Sequence, residues 1–230
     1  MNTSALVLPV ERIKTELERL RQADPRLEVF GAGAHQYALR SPLSESDVAA
    51  AEQHYGVRFP QEYRCFLLEV GAGGAGPFYG VFPLVKQGTS WVWEGDGGDM
   101  CSDLRRPFPH DQAWNLDGHP LWDSEPDEDD PRFDSESFDD AIEAWTEAFE
   151  EVYWSPKWTA GAICICHHGC ALRTWLVVTG PERGNVWYDG TADRAGLRPH
   201  VASDGSHMSF GAWYEEWIER SLAEFTASGC

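Results

Sequence analysis

Residues 43–84 read LSESDVAAAEQHYGVRFPQEYRCFLLEVGAGGAGPFYGVFPL, and the fold follows from how this block divides. Ser44 is placed to cap a helix. Asp47, three residues on, stands where an acidic side chain reaches back to the cap, a shortened capping box. Leu43 and Val48 have the spacing of a hydrophobic staple, and Gly56 occupies the place of a left-handed C-cap residue. The spacing predicts a helix of about three turns. Pro60 suits the first position of a second helix, whose Tyr63, Phe66, Leu67 and Val70 fall at helical spacing before Gly71 ends it. Each helix therefore has one face to bury.

Gly71, Gly73 and Gly76 match the letters of the dinucleotide-binding pattern G-x-G-x-x-G, with Glu94 or Asp96 at a plausible distance for a ribose contact. The context is wrong. That pattern needs a strand before it and a helix after it, so that the helix N-terminus faces the pyrophosphate. Here a helix precedes the glycines, and Pro77, Phe78, Tyr79, Val81 and Phe82 read as a strand. A structural turn needing positive φ is the expected role.

The run L-[ST]-x-x-[DE]-[IV], then Glu52, then G-V-R-F-P-x-E-Y-x-x-F-L and G-x-G-G-A-G-P-x-Y-G resembles the SUKH superfamily. Its members include fungal cell-wall assembly regulators and many bacterial immunity proteins. The later segment GCALRTWLVVTGPERGNVWYD resembles that family's central strands, and SFGAWYEEWIERSL resembles its closing helix, so the likeness runs over roughly residues 40–225. The resemblance implies an α+β binding fold used to neutralise toxin domains, with no shared catalytic residues to carry over.

The chain has 230 residues, eleven Trp and 42% hydrophobic residues, enough for a substantial core. An amphipathic helix over residues 9–22, with Val10, Ile13, Leu17 and Leu20 on one face, is read with its linker as an N-terminal unit (1–30). It precedes a single SUKH-like domain (31–230) carrying an acidic insertion near 123–137. No apolar run approaches the roughly 20 residues that span a bilayer, and the N-terminal apolar run has no charged front or cleavage site. A cytoplasmic protein is expected.

The net charge of −20 repels nucleic-acid phosphates and attracts basic partners. It is concentrated between Asp123 and Asp140, which carry ten acids and one Arg. Two readings stand side by side: a solvated insertion loop, and a decoy facing the cationic cleft of a nuclease or other basic toxin. EF-hand spacing is absent, so no divalent-ion site is read.

Cys164, Cys166 and Cys170 cluster with His167 and His168 in ICICHHGC. C-x-C and C-x3-C without a second pair is poor zinc spacing. Buried structural thiols on a strand covered on both faces are the expectation. The remaining cysteines are scattered, and neither metal nor cofactor is expected. No G-x-S-x-G, H-E-x-x-H or P-loop is present. His167, His168, Cys170 and Asp189 lie near strand ends where a site would have to assemble, and turn and core roles account for them more simply, so no enzyme is expected.

The remaining elements are read as strands at 78–84, 90–93, 161–167, 171–179 and 184–188, with the middle of the last three central in the sheet. A helix is expected over 138–153, capped by Ser137 with Asp140, and a last helix is capped by Ser209 and packed on the sheet through Phe210, Trp213, Trp217 and Leu222. The expected architecture is a central antiparallel-rich sheet covered by helices. Candidate partner-binding residues are the aromatics Tyr79, Trp91, Trp93 and Trp122, read as exposed anchors with a plain core role as the alternative for each, and the acids Asp127, Glu128, Asp129 and Asp130. The expected function is that of an immunity protein blocking a basic toxin by direct contact. The alternative is a regulatory scaffold docking several proteins.

Overall fold

The computed structural model describes residues 8–227. Helix α1 (Val10–Ala23) buries Val10, Ile13, Leu17 and Leu20, and these belong to the principal core. Its C-terminal end is tied down by the buried Asp24, whose carboxylate accepts from the backbone of Glu28 and Val29 and from the Tyr37 hydroxyl at 2.6 Å. A short helix, α2 (Ala32–His35), follows.

Helix α3 (Glu45–Tyr55) forms as its caps require. Ser44 Oγ accepts from the Asp47 amide, and Gly56 takes the left-handed conformation at φ 67°. The second helix differs from expectation. Pro60 is its N-cap rather than its first helical residue, α4 covers Gln61–Cys65, and the chain continues as a π-helical turn over Phe66–Val70. The wider turn ends where the Gly71 amide reaches back to Phe66 O at 2.9 Å.

The glycine run exists because three backbones meet there. Gly74 bridges both Leu39 and Val81, and a Cβ on it would stand 2.4 Å from Ala38 O. On Gly73 (φ 135°) a Cβ would stand 2.5 Å from the Pro83 backbone. Space for a pyrophosphate is filled by protein. The strand expected at 78–84 is a correction: this segment makes isolated bridges, and Phe78 sits at φ 54°, so the ladder begins at Leu84.

Two antiparallel sheets result. β1 (Leu84–Gln87) and β2 (Ser90–Trp93) form a hairpin. β3 (Ala162–Gly169), β4 (Leu172–Val177), β5 (Val186–Asp189) and β6 (Leu197–Pro199) form a four-stranded meander in that order. β4 lies inside the sheet, and its Trp175, Leu176 and Val177 are fully buried, as its continuous apolar run requires. β6 escapes sequence reading because it is short and ends in Pro at a sheet edge. Residues Ala162–Cys166 of β3 are all buried, with a register shift between Cys164 and Cys166.

Helix α5 (Ser135–Tyr153) starts three residues before the expected position. Asp134 is the N-cap, its carboxylate accepting the Ser137 amide while Ser137 Oγ accepts the Asp134 amide, each at 2.9 Å. Ser137 is thus the reciprocal partner in the capping box, not the cap. Helix α6 (Phe210–Ala227) lays Phe210 and Tyr214 on Tyr63 and Phe66, and its Glu215 and Glu219 pair with Arg12 of α1. The architecture is α+β, helices with antiparallel sheets. A second, smaller cluster of Leu116, Trp145, Phe149 and Tyr153 lies beside the principal core.

Candidate functional site

A cleft of about 410 Å³ opens at the seam between the two clusters. Strand β4 places Arg173 and Trp175 two residues apart, hence on one face. The end of α5 supplies Tyr153 and Trp154, the following turn supplies Trp158, and Trp114 is fixed by a two-way backbone bridge to Leu197 with both bonds at 2.8 Å. Met100 and Ala192 complete the rim.

The walls are locked ring on ring. Trp114 packs against Trp158 with centroids 4.5 Å apart and stacks on Tyr153 at 5.8 Å. Trp158 Nε1 donates to Val152 O, and Lys157 lies 4.3 Å from the Trp158 ring centre. Tyr153 Oη donates to Asn115 Oδ1 and accepts from the Gly196 amide. At the floor, Trp175 Nε1 donates to Asp189 Oδ2 at 2.8 Å, and Asp189 Oδ1 accepts the Thr191 amide and hydroxyl. The buried carboxylate is therefore committed to holding the floor. Trp154 is different, being about half exposed at the lip, and among the described residues no other ring packs on it.

The cleft continues into a surface strip. Arg173 Nη1 donates to Ala171 O at 2.6 Å, Nη2 stands 3.6 Å from Asp96, and the buried Nε has no acceptor. Asp96 in turn faces His167 Nε2 at 3.1 Å. His167 stacks on Tyr79, and Tyr79 meets Phe30 at 5.5 Å. The tip of the β3–β4 hairpin lies within this strip. There Cys170 (φ 49°) and Ala171 (φ 61°) take the left-handed region, in the two-residue loop that usually carries Asn-Gly.

Of the residues singled out from sequence, Tyr79 is exposed on this strip. Trp91 and Trp93 are a correction: both are buried in the principal core. Period-two alternation turns both inward while Ser90 and Val92 face outward. Trp93 Nε1 donates to the Tyr63 hydroxyl, and the carbonyl of Trp91 accepts from Tyr55. Trp122 is half-buried against Phe149 and Tyr153, where it props the smaller cluster. Asp127, Glu128 and Asp129 are exposed, and Asp130 is half-buried and paired with Arg132 at 2.6 Å. The candidates thus do not form one constellation. The cleft residues went unnoticed in sequence, although VYWSPKW at 152–158 sets three aromatic rings around a Pro between a helix and a strand.

The grouping of His167, His168, Cys170 and Asp189 also disperses. His168 stacks on Phe78 at 3.5 Å and shares a 2.7 Å hydrogen bond with Thr174, and burial pushes its imidazole down to about 3. Cys170 is exposed at the hairpin tip, and among the described residues no hydrogen bond joins it to His168. Cys164 and Cys166 are buried, and burial raises both thiols well above the ordinary range.

Helices with two antiparallel sheets around a helix–glycine–bridge block define an α+β fold. The sequence profile of the SMI1 / KNR4 family (SUKH-1) matches residues 42–215, and the chain belongs to that family. No curated protein and no solved structure matches it. None of the helices among the described residues is long and apolar enough to cross a membrane.

Proposed function

We propose that this protein is a non-catalytic, cytoplasmic immunity protein that neutralises a bacterial toxin domain by direct contact. The observation that carries the reading is the division of labour at the cleft. In the cleft Asp189 is spent on Trp175 and Thr191 and Arg173 on Ala171 and Asp96, and on the adjoining strip His167 faces Asp96, while apolar rings are left at the surface. Exposed aromatic rings of this kind suit contact with a macromolecule. Family membership supports the same reading.

A basic toxin, such as a nuclease, fits the net charge of −20. All the acids from Asp123 to Asp140 except Asp130 are exposed, and they would speed encounter with a cationic partner. The test is co-expression with a toxin-like domain taken from the neighbourhood of this gene. Specific rescue at matched expression, with the purified pair forming one complex, supports immunity. Unchanged toxicity despite folded protein removes that neighbour. Several weak partners in place of one tight one would favour the regulatory scaffold.

A further inference from the structure

Among the described residues the exposed large hydrophobic side chains are Phe30, Tyr79, Met100, Trp154 and Val201. Four of these five lie on one path. Met100 and Trp154 line the cleft, and Tyr79 and Phe30 continue from it across Arg173, Asp96 and His167. Scattered surface hydrophobics need no explanation, but a connected line of them does.

We infer that the cleft is the anchor pocket for an aromatic side chain carried on an extended, Lys- or Arg-flanked segment of a partner protein. This rests on the proposed binding role and specifies its geometry and chemistry. Two features select that occupant. The pocket is walled by rings with Trp154 unstacked at its lip, so a planar apolar group gains most by entering. The strip beyond the pocket extends past the reach of a single side chain, which a small metabolite would leave uncovered and an extended segment would use.

Charge fixes the flanks. Asp96 and Asp99 are exposed along the strip, and Asp193 is exposed beside Ala192 on the rim. A basic segment is attracted there and an acidic one is repelled. The acidic run at 123–140 then serves long-range steering, while the cleft provides the short-range contact that sets dissociation.

The test uses the full chain, ¹⁵N-labelled, titrated with three peptides: Ac-KGWGK-NH2, Ac-EGWGE-NH2 and Ac-KGGGK-NH2. The expected result is saturable shifts at Met100, Trp154, Ala171 and Ala192 with the first peptide, weaker binding of the second, and no cleft shifts with the third. Trp154→Ala should weaken the first peptide about tenfold, as loss of an aromatic anchor does. Ala192→Trp, at an exposed rim position, should fill the pocket and block it while leaving the fold's spectrum in place.

Shifts confined to Asp127–Asp130, equal binding of the tryptophan-free peptide, undiminished binding to Ala192→Trp, or no cleft shift at millimolar peptide would each overturn the inference. The co-expression assay separates it from the wider reading. Rescue by both wild type and Ala192→Trp keeps immunity and rejects the cleft as its contact. Peptide binding at the cleft without rescue keeps the pocket and rejects the neighbouring toxin as its target.

Discussion

The principal core and the smaller cluster beside the cleft both rely on aromatic side chains, yet they are secured differently. Around Trp175 and Trp187 the rings are fully buried, in adjacent strands of a sheet that reaches from β3 to β6. Around Trp145 and Phe149 the rings lean on a single helix and are covered by Arg194, whose guanidinium lies 5.2 and 5.1 Å from the two ring centres and pairs with Glu125. The first region is held by backbone ladders and packing from several directions. The second is held by one capped helix, a few loop contacts and one cation. A cleft at the seam therefore takes its floor from the sheet and part of its wall from the end of the capped helix.

The largest effect should come from attacking the sheet side. Trp175→Ala removes a fully buried ring and leaves Asp189 without its indole donor. A loss of roughly 3–5 kcal/mol is expected in urea unfolding, because the cavity cannot collapse within a ladder. Trp145→Ala should instead raise hydrogen exchange along 135–153 while β4 keeps its protection. Equal loss of protection in both regions would show that they unfold as one unit.

Acid should narrow the gap between them. Burial holds His35 down to about 4 and His168 down to about 3, against about 6.5 in an unfolded chain. The unfolded state takes up protons first, so stability is complete above about pH 6.5 and falls as the pH drops toward these lowered values. Each histidine should cost about 2 kcal/mol by pH 5. His168→Gln, which keeps a side-chain partner for Thr174, should flatten the pH dependence of the unfolding free energy. An unchanged slope would mean that His168 is not held neutral.

Two smaller changes sharpen the contrast. Arg194→Ala should cost about 1 kcal/mol, the worth of a partly exposed ion pair with its ring contacts, and should be read as faster exchange in α5 with little change in β3–β5. At the hairpin, Cys170→Asn with Ala171→Gly should stabilise by about 1 kcal/mol, since both positions lie in the left-handed region. A higher melting temperature with unaltered partner affinity would mark the strain as incidental. Reduced affinity would place the hairpin tip within the contact surface.

Much of the scaffold was legible because its determinants are local. Ser44, Gly56, the helical spacing of Tyr63, Phe66 and Val70, and the unbroken apolar run of β4 each act within a few residues of themselves. The limits were local too. Asp134 outcompetes Ser137 as cap because a carboxylate there satisfies the first-turn amide while the serine answers in return. The π turn after Cys65 had no sequence signal. The candidate site was far less legible: Trp91 and Trp93 could be read as contact or as core and are core, while Trp114, Trp154, Trp158 and Arg173 converge from segments about sixty residues apart.

By itself, then, the sequence determined the α+β class, the family, the order of most elements and the acidic balance, since capping, periodicity and charge are properties of neighbouring residues. Tertiary structure alone decided which of the tryptophans are buried, that Gly73 and Gly74 are crossed by other backbones, and that Arg173 lies in an aromatic cleft. Those outcomes depend on long-range packing, where the same indole is core or contact surface according to which distant segment covers it.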